Sequence, residues 1–380
     1  MSAPRASQSS LTTAVAAMWL VMMLWLATIA AGCTAGSSTA SDALAPATTT
    51  TLAPATTTTT VAPATTTTTA TTTTTTTTVP FVVADSINGL AADPTLTNRR
   101  VVAVKIDNHP SARPQSGLQD ADAVFEILVE GGYTRFITLF HQTDLDYVGP
   151  VRSGRPTDIG VIKPLDAPFQ ISGAQPYVQD LFADAGLHMV YNNGTTTWRE
   201  SHRKAPHNLY TSTLEIRKYA DARFWDNTNP GNLFAFGEPR TATQMASEIT
   251  FDWSGQPPVV WKWGRNEYFR FNAEQPHRWI TADGSRTGVV SVPTLVAIIG
   301  KRYTVEPTPP ETGSPVPAID IIGQGEALVF INGRVLEGTW SKDSVGAPFT
   351  LLDGAGEPLV LPPSRMWVSV FPSSQDITWR

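Results

Sequence analysis

Between Thr34 and Pro80 the chain is built almost wholly of Thr, Ala, Pro and Ser, and no charge occurs between Asp42 and Asp85. The unit APATTTT recurs near Ala45, Ala53 and Ala62, and eight threonines run from Thr71 to Thr78. Such a segment has too little apolar surface to offset the entropy of ordering it. Proline and β-branched threonine favour extended backbone, so the tract reads as a spacer with a reach of about 140 Å. Its hydroxyls offer sites for O-glycosylation. The tract also limits what the rest can be. Residues 34–94 form a disordered tether, although FVVADSINGL (81–90) is expected to pack weakly on the domain that follows. Of 380 residues, roughly 285 remain for packed structure.

Residues 1–33 read as an address. One cation, Arg5, precedes an almost wholly apolar run from Leu11 to Ala31, and small residues lead to Cys33, the only cysteine. This is the layout of an export signal. It resembles a bacterial lipoprotein signal, in which the chain is cut before the cysteine and the thiol is lipidated. Ala30 stands where Leu is usual in that signal. The run is also about long enough to span a bilayer, so an uncleaved signal-anchor is the alternative. Either way the lipid bilayer is a partner through the N-terminal anchor, and the remaining chain faces the extracytoplasmic side.

The first folded segment, 95–245, is expected to mix α and β, and its polar residues cluster at the ends of apolar runs. VVAVKI (101–106) reads as a buried strand that ends in the turn Asp107-Asn108. Val124–Glu130 alternates, and Gly131-Gly132 is a two-residue hairpin signal. That turn would pair Glu130 with Tyr133, Leu128 with Arg135 and Glu126 with Ile137, setting Arg135 between Glu126 and Glu130. Two readings are open: an ion-paired, partly exposed sheet face, or one wall of a pocket.

GPVRSGRP (149–156) sets Arg152 and Arg155 in a loop stiffened by Gly and Pro. Guanidinium forks there suit a carboxylate or phosphate, or pair internally with Glu126, Glu130 or Asp158. A short helix is expected after Pro156, a helix stopped by Gly186 over YVQDLFADAG, and a capped helix over TSTLEIRKYA with Glu215 completing a capping box. The second polar cluster runs from Trp198 to Tyr210. His202 and His207 are five apart with Pro206 between them, which opposes a helical metal motif and leaves His207 as a candidate proton shuttle or a structural hydrogen-bonding group.

KIDNHPSARPQSGLQDADAVFEILVEGGYTRFITLF, GPVRSGRPTDI and RKAPHNLYTS resemble the domain-of-unknown-function 3048 family, the YerB-like bacterial lipoproteins, over about residues 98–375. The resemblance maps that family's recurring residues onto Asp107, Asn108, Arg113, Pro114, Gln115, Glu126, Glu130, Gly131, Arg135, Arg152, Arg155, His207 and Asn208. Gly154 stands where Ala is more frequent, and ISGAQP departs from a His-containing, Gly-Gly-Ser-like segment. The resemblance implies an address and an architecture, not a chemistry.

The segment 250–376 reads as a mostly β domain. Trp261, Trp263, Tyr268 and Phe269 mark a hairpin core, and Asn332-Gly333 marks a tight turn. Trp340 is expected in the core or at a domain interface, and Lys342 near it in contact with the first domain or a ligand.

The net charge of −6, without a basic run, excludes nucleic acid as a partner. Six His and one Cys oppose a disulfide scaffold or a Cys-rich metal site, so no metal and no cofactor is expected. Three functions stay open. The first is a tethered protein that binds peptidoglycan, an anionic polymer or an envelope protein through Asn108, Arg113, Gln115, Arg135, Arg152, Arg155 and Asn208. The second is a hydrolase of an envelope substrate using Asp107, Glu126, Glu130 and His207. On one strand, however, Glu126 and Glu130 are roughly 13 Å apart, wide for a carboxylate pair. The third is a purely structural or assembly role.

Overall fold

The computed structural model describes residues 83–380. The signal, Cys33 and the tether up to residue 82 lie outside the described residues, whereas 83–94 belong to the folded unit. Residues 83–221 mix helices and strands, whereas 244–380 are predominantly β. The described residues fall in one compact unit.

An 11-stranded sheet forms the frame. At its centre Val102–Asp107 and Ala123–Leu128 lie antiparallel on either side of Thr134–Phe140. Met366–Phe371 then runs parallel beside Ala123–Leu128, and Thr294–Ile299 runs parallel beside Met366–Phe371. The hairpin Gly323–Ile331/Arg334–Lys342 continues the sheet, turning at Asn332 and Gly333, both with positive φ. On the other side come the short parallel strands Phe169–Gln170 and Met189–Val190. The sheet therefore runs through both segments, and the boundary near 245–250 falls within one unit. A second, 6-stranded sheet pairs Val259–Gly264 with Glu267–Asn272 and brings in Ile377–Trp379 beside Glu248–Phe251.

The central strands are buried on both faces, because helices and loops cover one and the second sheet the other. Trp261 and Trp367 meet edge-on at 5.2 Å in that inter-sheet layer. Trp340 is a core residue whose indole N–H donates to the Ile299 carbonyl. Lys342 is buried as well and donates to the carbonyls of Val345 and Ala347. It holds the loop that follows its strand.

The helix ends follow the sequence signals, except that the Glu215 carboxylate pairs with Lys218 and does not complete a capping box. Pro176–Asp184 ends before Gly186 at φ +62°, and Thr213–Asp221 starts at Ser212, whose hydroxyl accepts from Glu215 N–H. Segment 85–92 differs from the weak packing expected. Ile87 is fully buried, and Asp85 Oδ1 accepts the N–H groups of Ile87 and Asn88. Asp85 pairs with His141 at 2.6 Å, and Asn88 donates to Asp122 at 2.8 Å. Alternation of apolar residues carries no trace of this polar pinning.

Burial raises the Asp122 carboxyl to about 6 in spite of its backbone donors. The folded state then keeps a proton that the unfolded chain releases near pH 4. Stability should accordingly fall as pH rises from about 4 to about 6, by on the order of 2 kcal/mol from this group. Urea midpoints across pH 4–7 should show a flatter slope for Asp122→Asn; an unchanged slope would remove Asp122 as its source.

Candidate functional site

The hairpin sets the geometry of the site. Its loop is Glu130–Gly132, closed by Val129 N–H donating to the Tyr133 carbonyl. The loop holds three residues, not the expected two, so the register moves by one. Glu126 faces Phe136, Ile127 faces Arg135 and Leu128 faces Thr134. A one-residue slip exchanges the faces of a strand. Arg135 therefore shares a face with Asp107, its partner across the next strand, while Glu126 points to the opposite face. The expected Arg135 bridge between Glu126 and Glu130 is not formed.

On the Arg135 face, Asp107, His109, Glu130, Tyr133, Arg152 and Arg155 join Arg135 around a cleft of about 330 Å³. Asp107 Oδ2 meets His207 Nδ1 at 2.7 Å and lies 3.4 Å from Arg152 Nε. That Arg152 nitrogen is buried and makes no hydrogen bond. Arg155 grips Glu130 with two nitrogens, at 2.7 and 3.0 Å, so internal pairing is realised at the cleft wall itself. Arg135 donates to the Ser153 carbonyl at 2.7 Å. Burial first, then the neighbouring Arg155, pulls its guanidinium down to about 9, so it stays charged at neutral pH. Desolvation, then the His207 ring, holds His109 below the usual histidine range. Below the floor, Lys105 and Asp158 form a fully buried pair at 2.5 Å. Asp158 also accepts the Arg155 N–H and thereby fixes the loop that carries the arginines.

The other candidates lie behind the cleft. Asn108 donates to Thr134, and its side-chain oxygen accepts from Arg113. Buried Gln115 donates to the Asp107 carbonyl. Asn208 donates to the Glu200 carbonyl and accepts from Arg199, holding the loop from which His207 projects. Glu126 is fully buried and accepts from Thr134, Arg270 and Trp367. His202 is mostly exposed and pairs with Glu200. Among the described residues no group of three or more His, Cys, Asp or Glu is placed to hold a metal.

Sequence reasoning passed over His109, Tyr133, Arg270 and His277. His109 stacks on His207 at 4.6 Å and meets Tyr133 at 5.2 Å. Its place two residues after Asp107, in a turn before Pro110, was the available signal. Arg270 donates to His277 Nδ1, whose Nε2–H then donates to Gln115 at 2.8 Å. No spacing announces that chain of bonds, because its members lie 162 residues apart.

Two glycines are required by close approach. At Gly154 a Cβ would stand 2.8 Å from the Phe182 ring, so Phe182 occupies the space an alanine methyl would need. Gly132 has φ +73°, and a Cβ there would stand 2.2 Å from the Ser254 carbonyl oxygen. Gly132→Ala should therefore cost at least about 1–3 kcal/mol in backbone strain alone. A thermal midpoint within a degree of the parent would contradict this.

The model of the family described as "Protein of unknown function (DUF3048) N-terminal domain" matches residues 87–226, and that of its C-terminal domain matches 247–368. The chain belongs to this family. It is 28% identical over 293 residues to the Bacillus subtilis (strain 168) protein named "Putative lipoprotein YerB", a match that covers 75% of this chain and 85% of the relative. The crystal structure of YerB from Bacillus subtilis is similar with a TM-score of 0.67 and 25% identity, over 78% of this chain and 99% of that one. The homology is thus to a protein with a lipoprotein name and no stated activity. No helix among the described residues is long and apolar enough to cross a membrane.

Proposed function

We propose that the protein is a membrane-tethered extracytoplasmic binding protein whose cleft receives an anionic group of a cell-envelope polymer or partner protein. The carrying observation is the convergence of Arg135, Arg152 and Arg155 on one concavity, with the Arg152 Nε buried and lacking a hydrogen-bond acceptor. Asp107 meets that nitrogen only as an ion pair at 3.4 Å, and a ligand oxygen would add the hydrogen bond it lacks. A carboxylate or phosphate matches the fork geometry of guanidinium groups. The lipoprotein-type N-terminus and the Thr-rich spacer support attachment at Cys33 with reach away from the bilayer. The test is incubation of the full-length protein, in detergent micelles, with peptidoglycan and its soluble fragments, followed by mass measurement of bound and altered species. Binding without product is expected. Absence of binding to every anionic fragment would sink this reading and leave an assembly role.

One observation favours a second reading. Asp107, which lines the cleft, and His207, which is partly exposed behind it, are placed as an orienting carboxylate and a base. In a hydrolase of that kind, Glu130 is tied to Arg155 and Glu126 lies outside the cleft, so His207 would move the proton. Product formation that drops 10²–10⁴-fold in His207→Ala, with ligand affinity kept, would replace the binding reading with this one.

A further inference from the structure

The arginine cleft has a neighbour. Tyr133 and Thr134 line both it and a second pocket, whose far wall comes from the second half of the chain through Trp253, Gln256 and Asn272. This pocket is the smaller, with a volume of about 60 Å³. Its chemistry is different. Arg113 gives Nε and one terminal nitrogen to Asn108, and its other terminal nitrogen makes no hydrogen bond among the described residues. The Gln256 amide donates to the Gly131 carbonyl, and the Asn272 oxygen accepts from Arg270. Each amide therefore keeps one polar end for another partner. The Trp253 indole N–H is buried without an acceptor, although Trp253 is only 3% exposed. Each compartment thus holds one orphaned buried donor, Arg152 Nε in the first and Trp253 Nε1 in the second.

A row of flat rings ends on Tyr133, which lines both compartments. His207 stacks on His109 with 13° between their planes, and His109 leans on Tyr133 at 41°. All three are partly exposed. Flat, partly wet rings flanked by amide groups accommodate a body with C–H faces and hydroxyl edges. An apolar peptide side chain would leave the Trp253 N–H, the Arg113 nitrogen and both amide ends unsatisfied in the second pocket.

We propose that the two compartments form one bipartite site for an acidic saccharide. Its carboxylate or phosphate lies in the arginine cleft, its ring lies along the His109–Tyr133 wall, and ring hydroxyls enter the pocket of Arg113, Trp253 and Gln256. This rests on the anion-binding reading of the cleft and adds the class of molecule that carries the anion.

The test is calorimetric titration of the full-length protein in detergent micelles with five probes. Acetate and inorganic phosphate carry the acid alone, glucose the ring alone, and glucuronate and glucose 6-phosphate carry both. Glucuronate should bind at least tenfold tighter than acetate, or glucose 6-phosphate at least tenfold tighter than phosphate, and whichever gain is larger identifies the acid. Trp253→Phe, which keeps the packing of the ring on Phe371, and Gln256→Ala should each reduce that gain at least threefold and leave acetate and phosphate binding unchanged. If the simple acids bind but the sugar acids bind no tighter, the bipartite site fails and the anion cleft stands. A gain that both variants leave intact also overturns the second pocket. If none of the acids binds, both readings fall together.

Discussion

Arg270→Ala is expected to destabilise the protein by about 3–5 kcal/mol, because it strands the Glu126 carboxylate in the layer between the sheets. Both side chains are fully buried, and the guanidinium meets Glu126 Oε1 at 2.6 Å. Phe136, Trp261 and Trp367 surround it with ring centroids 5.3–5.9 Å from its central carbon. The rings shield the charge from water and favour a cation over their faces. With the cation gone, one carboxylate oxygen keeps Thr134 and the other keeps Trp367, but its charge has no counterpart. A loss of that size is a fifth or more of the stability of an ordinary domain. Urea unfolding should show a large fall in midpoint. Arg270→Met combined with Glu126→Gln should recover much of it, since the pair is then removed together. A single variant within 1 kcal/mol of the parent would show that Glu126 is neutralised another way. Arg270 also reaches the cleft indirectly, because it fixes His277, which holds Gln115, which holds the Asp107 carbonyl.

The second large effect is on binding. Arg135→Ala with Arg152→Ala should weaken binding of an anionic envelope fragment at least 100-fold, about 2.7 kcal/mol. The two arginines share one cleft and are not bound to each other's carboxylate: Arg152 lies by Asp107, and Arg135 bonds a backbone carbonyl. Arg152→Lys keeps the charge but not the fork, and should recover only part of the loss. Raising salt should weaken the parent less than an exposed site, because Arg135 is nearly buried. Full affinity in the double variant would move the ligand elsewhere.

Much of this arrangement was legible in the chain, and the failures have causes. Asp107, Arg135, Arg152, Arg155 and Glu130 come from turns and strand ends that Gly and Pro punctuate, and the structure places all five around one cleft. His207 reaches Asp107 from 100 residues away, a contact consistent with its place in a second polar cluster. Glu126 went the other way for a local reason. Glu130 belongs to the loop rather than to the strand, and a single residue of register reversed the face. Arg270 and His277 lay beyond sequence reasoning, because an arginine on a β-strand reads as solvent-facing unless its buried partner is known.

The strand Met366–Phe371 lies between Thr294–Ile299 and Ala123–Leu128, parallel to both. It therefore joins the two halves of the main sheet, although it lies more than 200 residues after Ala123–Leu128 in the chain. Without it, Ala123–Leu128 would present one unpaired edge of wholly buried residues beneath the cleft. The sheet of the first family segment is thus completed by a strand from the second. Removing Met366–Phe371 would strip the neighbour from Ala123–Leu128 and with it the support of a cleft whose lining lies more than 200 residues upstream.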